Sequence, residues 1–365
     1  MNLIFVALLF VVNLCPQRII SLGPVITEEI YLLEANDKLV GNTIYCKIPQ
    51  DAQKKEKIGT IMEINIEKIV SLKPDVVLAI PLNNPKQLQK LKDMGINVIN
   101  FSSPENFQQI CEDFLKLGNI VGKEFESMET INQTAEKIDS ICKKVENLSK
   151  PKVFIEVGAN PLFTAPKHSF IHNLIELGGG INIGLGTKNG LYSREKVLKQ
   201  NPDIIIIITM GVVGEEEKEV WQKYKTINAV KNNKIYVLDS YRYCSPTPVV
   251  FVEALEELVD IFHPEARPQR TEILNEETVC KLAADLANQE CERIYGPRPF
   301  LPEHYKATFS DERWKWGQMD PAGIKGYSAE VSFKKDGTDK KVQVFFSTDR
   351  LNRTQRKGIK EKVVR

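Results

Sequence analysis

The chain has 365 residues, 42% of them hydrophobic and 27% charged, which gives a folded globular protein long enough for two or three domains and excludes a disordered one. Its 49 basic and 48 acidic residues leave a net charge of +1, so no overall field recruits nucleic acid or an acidic substrate. Seven cysteines with no C-x-x-C pair and no zinc spacing exclude a metal finger.

The apolar run Leu3–Val12 is too short to span a bilayer but has the length of a signal-peptide core, so residues 1–15 read as a signal segment, Cys15 as a candidate lipidation site, and export is expected. Arg18–Leu22 reads as a strand, followed by the loop G-P-V-I-T-E-E opening a helix, with Thr27 as its cap and Glu28 and Glu29 in its first turn. Strands and helices then alternate. Glu67–Leu78 reads E-K-I-V-S-L-K-P-D-V-V-L, and 128 positions later Glu195–Ile206 reads E-K-V-L-K-Q-N-P-D-I-I-I. Each copy has a cap (Asn65 or Ser193), a short amphipathic helix, a proline break and an apolar run suited to a buried parallel strand. The repeat predicts two lobes of one architecture, with Glu67 and Glu195 at matching places. The helix dipole alone favours an acid in a first turn by roughly 0.3–1 kcal/mol; their recurrence in both lobes suggests twin docking points for a partner that touches both.

Further along, Pro85–Met94, Asn106–Leu117 and Glu124–Leu148 read as helices, the last free of glycine and proline and therefore a stiff spine between the lobes. The second lobe starts with the strand Val153–Val157, continues through the helix Ile171–Leu177, the glycine run Gly178–Gly180 as its C-cap and the second repeat copy, and closes on the helix Pro248–Phe262. Beyond Pro264 the composition shifts to a helix at Asn275–Ile294, a strand at Arg313–Gly317 and a hairpin of Tyr327–Phe333 with Lys341–Phe346 around Asp336-Gly337. The expected fold class is α/β, with a small α+β C-terminal domain. The domains are 16–123 and 151–265 as binding lobes, 124–150 as backbone helix, 266–349 as the separate module and 350–365 as a frayed basic tail.

No catalytic constellation is present: Ser-His-Asp sets, phosphate loops and H-E-x-x-H are missing, and His168 and His172 lack a carboxylate at metal spacing. Neither an enzyme nor a metal or cofactor site is expected. The loops Gly23-Pro24, Tyr45-Cys46, Ile80-Pro81, Pro161-Leu162-Phe163, Leu191-Tyr192 and Tyr241-Arg242-Tyr243-Cys244 fall beyond the strands' carboxyl ends, where open α/β sheets bind ligands. Their aromatic, sparsely charged lining suits a large, flat, partly apolar ligand. Cys46 and Cys244 fall in loops of opposite lobes, and a disulfide or a shared ligand contact between them is a further expectation.

From Arg18 to Pro264 the chain resembles the extracytoplasmic substrate-binding proteins of ABC importers whose two doubly wound lobes are joined by one rigid long helix (class III periplasmic binding proteins). The likeness is strongest to the cobalamin-binding branch. R-I-I-S-L-G-P at 18–24, V-F-I-E-V-G-A-N-P-L-F-T at 153–164, E-L-G-G-G-I-N-I at 176–183, S-R-E-K-V-L at 193–198 and Cys244-Ser-Pro carry it. The resemblance implies that Glu67 and Glu195 meet arginines of a membrane permease. It also implies that Tyr45, Phe163 and Tyr241–Cys244 line the pocket of a corrinoid (cobalamin or cobinamide), with the protein acting as a monomer. Ile61 and Ile80 stand where the cobalamin binder carries tryptophans. A ferric siderophore or haem is the alternative ligand, for which Arg242 and Lys167 are the candidate cations. I-Y-G-P-R-P-F at 294–300 and R-W-K-W-G at 313–317 resemble small NTF2-like domains of immunity-type proteins, which implies an interaction role and supplies the rival from another class, a protein-interaction protein.

Overall fold

The structure, a computed structural model, describes residues 16–187, 189–208 and 214–266, and the backbone of 309–310, 326–335, 338–347 and 360–362. The signal segment with Cys15, the helix expected at 275–294 and the strand expected at 313–317 lie outside the described residues. The chain divides into two compact units, Met1–Cys46 with Lys55–Phe262 and Lys47–Lys54 with His263–Arg365.

In the larger unit the first lobe comprises β1 (Ile19–Ser21), α1 (Pro24–Leu32), β2 (Leu39–Asn42), β3 (Glu56–Lys57), α2 (Ile66–Ser71), β4 (Val76–Ala79), α3 (Pro85–Asp93), β5 (Val98–Asn100) and α4 (Phe107–Val121). Its parallel sheet runs β3-β2-β1-β4-β5, so the chain leaves β1 in both directions and the loops after β1 and β4 border the switch point where such sheets bind. The second lobe comprises β6 (Lys152–Gly158), β7 (Phe163–Thr164), α6 (Phe170–Leu177), β8 (Ile181–Asn182), α7 (Arg194–Gln200), β9 (Ile204–Ile207), α8 (Gly214–Gln222), α9 (Asn228–Lys231), β10 (Ile235–Val237), α10 (Ser240–Cys244) and α11 (Pro248–Phe262). Its sheet runs β10-β9-β6-β7, with β8 beside the start of β6. Residues 204–208 can be an unbroken isoleucine run because both faces are covered: Ile204, Ile206 and Ile208 pack towards α11 and α6, and Ile205 and Ile207 towards α7 and α8.

The repeat folds the same way twice. Asn65 and Ser193 cap α2 and α7 through their side chains, accepting from Lys68 N and Lys196 N. Lys73 and Asn201 then take left-handed backbone at φ 46° and 50°. Asp75 and Asp203 end each phrase by accepting from the backbone N–H of Arg18 (2.9 Å) and Lys152 (2.9 Å), which ties each β4 or β9 to the strand that opens its lobe. Between the lobes, α5 (Glu124–Val145) is 22 residues long, about 33 Å at an α-helical rise, and so stops short of residue 150. It buries Ser127, Thr134, Ile138, Ile141 and Val145 at helical spacing, packing on α4 and α11.

One expected cap is corrected. Thr27 is not the start of α1: Pro24 occupies the first helical turn after Gly23, and Thr27 is buried inside the helix with its hydroxyl on Ser21 Oγ (2.9 Å). In the smaller unit β12 (Gly326–Lys335) and β13 (Thr338–Ser347) pair antiparallel, Lys335 opposite Thr338, flanked by β11 (Phe309–Ser310) and β14 (Lys360–Lys362). Lys360–Lys362 is therefore a strand, where a frayed tail was expected, because it adds to the edge of β13.

Candidate functional site

The carboxyl ends of the two sheets face one another. Tyr241, just beyond β10, donates from Oη to Glu28 Oε2 of α1 (3.1 Å). His168 Nδ1, beyond β7, lies 2.9 Å from Glu105 Oε2, beyond β5, and Phe107 N donates to Asn173 Oδ1 (3.0 Å). These three links place the loops after the strands of each lobe on either side of one cleft. In α1, burial raises the Glu29 carboxyl well above the usual range, with Asp113 and Glu28 adding to the effect.

The lip of the first lobe is built around Asn83. Its buried amide accepts from Ile80 N (2.7 Å) and donates to Ile61 O (2.8 Å) and Leu22 O (3.2 Å), so the loops after β1, β3 and β4 hang on one side chain. Two glycines permit the close approach. A Cβ on Gly23 would sit 2.6 Å from Ile80 Cγ2, and Gly59, at φ 114°, starts a tight loop that bridges to Ile64 and presents Met62. Large apolar side chains are exposed on the loops of this lobe, Met62 at 69%, Leu82 at 66%, Tyr45 at 48% and Ile44 at 47%, and on loops of the second lobe Leu185 and Leu191 stand exposed at 43% and 47%. Exposed apolar side chains on loops beyond the strands' carboxyl ends make these loops the candidate binding surface.

The residues anticipated from the sequence separate here. Tyr45 stands on the rim, and Phe163 is half-buried on β7, bridging to Leu191. Tyr241 crosses the cleft to Glu28. The next two residues turn away, because 240–244 form the helical turn α10 capped by Asp239 and successive side chains leave it in different directions. Tyr243 is wholly buried, donating to Glu257 Oε2 (3.1 Å), and Arg242 pairs with the same carboxylate (2.8 Å). Neither lines the cleft. The expected Cys46–Cys244 disulfide is also corrected: both are free thiols, Cys46 wholly buried beside Thr27 Oγ1 (3.2 Å) and Thr43 Oγ1 (3.3 Å), and Cys244 exposed. Asn83, Met62, Leu82 and Glu28 were missed; the only local signal was the Asn83-Asn84-Pro85 run, in which Asn84 caps α3 and leaves Asn83 free to turn inward.

Glu67 and Glu195 are both exposed in the first turns of α2 and α7. Its own backbone N–H and the Ser193 hydroxyl hold the Glu195 carboxyl below the usual range. Behind it lies a buried charge cluster. Arg194 pairs with Glu217 (2.6 Å) and stacks over Trp221 (4.7 Å), whose Nε1 donates to Glu156 Oε2 (2.6 Å). Burial pushes the Glu156 carboxyl up to about 7 from an ordinary 4.5, Glu217 adding to the rise while the Trp221 N–H and Arg194 offset it. The folded state thus holds a proton that the unfolded chain releases near 4.5, so this stabilising contribution is full below 4.5 and is lost as pH rises through about 7. Thermal melts of Glu156→Gln, which keeps an acceptor for Trp221 and carries no charge, are expected to gain on wild type progressively from pH 5 to pH 8; an unchanged gap across that range would refute the assignment.

Residues 19–242 match the family model described as periplasmic binding protein. The uncharacterized ABC transporter substrate-binding lipoprotein YvrC of Bacillus subtilis is 30% identical over 260 residues, 68% of this chain and 81% of that one. The vitamin B12-binding protein of Yersinia pseudotuberculosis is 30% identical over 194 residues, 52% of this chain and 69% of that one. Among solved structures, the periplasmic vitamin B12 binding protein of Vibrio cholerae matches with a TM-score of 0.60 at 25% identity, over 70% of this chain and 99% of that one. A possible iron-binding, periplasmic solute-binding protein of Staphylococcus epidermidis matches with a TM-score of 0.60 at 29% identity, over 68% and 99%. The chain belongs to the periplasmic binding protein family, in its two-lobe, class III form. It is a non-enzymatic ABC-importer substrate-binding protein, and an extracytoplasmic location goes with that membership.

Proposed function

We propose that the protein captures a corrinoid, cobalamin or cobinamide, between its two lobes and hands it to an ABC permease that docks on Glu67 and Glu195. The observation that carries the ligand assignment is the composition of the cleft edge. Met62, Leu82, Tyr45, Ile44, Leu185 and Leu191 offer apolar area, while Arg242, the cation anticipated from the sequence for a carboxylate-bearing ligand, is turned away and committed to Glu257. Burial of apolar area at roughly 25 cal/mol per Å² then supplies the affinity, which suits a broad ring system better than a polyanion. The vitamin B12-binding relatives agree with this choice. An iron chelate is the second reading, favoured by the Staphylococcus epidermidis likeness and by exposed Lys167. For the smaller unit, the antiparallel sheet supports an NTF2-like interaction module.

Isothermal titration of the full chain with cyanocobalamin, cobinamide, haemin and a ferric hydroxamate separates these. Sub-micromolar binding of a corrinoid, with the others weaker by at least tenfold, is the expected result. Tight binding of haemin or the ferric chelate with no heat from either corrinoid would overturn the ligand assignment and leave the transport class intact.

A further inference from the structure

The helix α2 that carries Glu67 does not present its glutamate on a plain polar face. An open groove of about 720 Å³ runs beside it, lined by Ile64, Asn65, Ile66, Glu67, Val70, Lys90 and Met94. Met94 is 50% exposed and Val70 38%, an uneconomical arrangement for side chains that could have packed inward. The neighbouring cation, Lys68, is paired with Glu56, which leaves the Glu67 carboxylate unneutralised on that side.

The matching face of the second lobe is different. Leu198, which stands in α7 where Val70 stands in α2, packs against the core with Val197 and Trp221. Lys196 lies over the Tyr192 ring at 5.6 Å, and Lys199 stands in the last turn of the helix. Around Glu195 the surface is therefore charged, with its apolar residue withdrawn, while around Glu67 an apolar seat is left open.

We propose that the first lobe docks the permease through a composite site: Glu67 takes a basic side chain, and the groove floored by Ile66, Val70 and Met94 takes an aliphatic or aromatic side chain from the same permease loop. This inference rests on the docking role given above to Glu67. The occupant follows from the lining, since a carboxylate beside an exposed methionine and valine is complementary to a cationic residue with an apolar neighbour, and interface energy concentrates where an apolar anchor and a charge are buried together. Because Leu198 is drawn into the core where Val70 is left exposed, docking has a polarity: the first lobe is clamped by charge and burial, and the described face around Glu195 by charge.

Binding of the ligand-loaded full chain to proteoliposomes containing the permease that takes up its ligand tests this. Met94→Lys and Val70→Lys alter exposed positions, so ligand titration and melting temperature are expected to match wild type, and Met94→Leu serves as the conservative control. Each lysine variant is expected to weaken docking at least tenfold, Met94→Leu to dock normally, and Met94→Lys with Glu67→Gln to lose less than the product of the two single losses. If Glu67→Gln docks weakly while both lysine variants dock like wild type, the apolar seat is refuted and the docking glutamate stands. If Glu67→Gln itself docks like wild type, the docking reading fails and this proposal falls with it.

Discussion

Ligand uptake by permease-containing proteoliposomes is expected to fall at least about 100-fold when Glu67 and Glu195 are both replaced by glutamine, with the ligand affinity of the free protein unchanged. The two residues are exposed, each sits in the first turn of a helix two residues past its cap, and no ion pair holds either among the described residues. Glutamine keeps their size and removes only charge, so folding and the cleft are untouched. Removing one partner of a desolvated interfacial charge pair costs roughly 2–5 kcal/mol, and about 1.4 kcal/mol is a factor of ten, so two such losses reach two decades or more. The single variants should differ, because Glu67 has the apolar groove beside it and Glu195 does not. Raising salt should therefore weaken docking of Glu67→Gln, which leans on the charged second lobe, more than that of Glu195→Gln. Uptake by the double variant at the wild-type rate would contradict the docking role.

Asn83→Ala is expected to lower stability by about 3 kcal/mol and ligand affinity by at least tenfold. The amide is buried and joins Ile80 N, Ile61 O and Leu22 O, so its loss strands several polar groups at once, each costing roughly 1–3 kcal/mol if it stays dry. For a body of this size that corresponds to a fall in melting temperature of roughly 6–12 °C. The affinity loss follows because Met62 and Leu82 ride on the freed loops. Asn83→Asp tests the donors separately: it retains an acceptor for Ile80 N but sets a buried carboxylate oxygen against the carbonyls of Ile61 and Leu22, and should be at least as destabilising as alanine. Wild-type stability in Asn83→Ala would show that the three loops do not depend on it.

The lobes were legible in the sequence because their signal is local and doubled. A capped turn, a proline break and a β-branched run fix a helix and a strand without reference to the rest of the chain, and Asn65 and Ser193 cap both copies as the repeat implied; the matching bonds of Asp75 and Asp203 to the opening strands were not anticipated. The helix Pro248–Phe262 and the hairpin around 336–337 were equally readable from their apolar spacing and turn chemistry. What failed depended on direction. Tyr241, Arg242 and Tyr243 are consecutive aromatic or basic residues, and only the short turn of α10 decides that the first crosses the cleft while the others go to Glu257. Thr27 looks like a cap until Pro24 is seen to start the helix three residues earlier. Cys46 lies in a cleft loop but points inward to Thr27 and Thr43. The role of Asn83 arises from residues 22 and 61 positions away in the chain, a pairing that no local pattern encodes.

The central claim is that ligand is held between the lobes against the apolar lip, and the methionine methyl groups report on it most directly. With the chain labelled at its methionine methyls and titrated with cyanocobalamin, the Met62 resonance at the cleft edge should shift in proportion to occupancy, while Met94 beside Glu67 and exposed Met128 on α5 stay in place. Saturable binding by calorimetry with an unmoved Met62, or with Met94 moving in its stead, would place the ligand elsewhere and contradict the account.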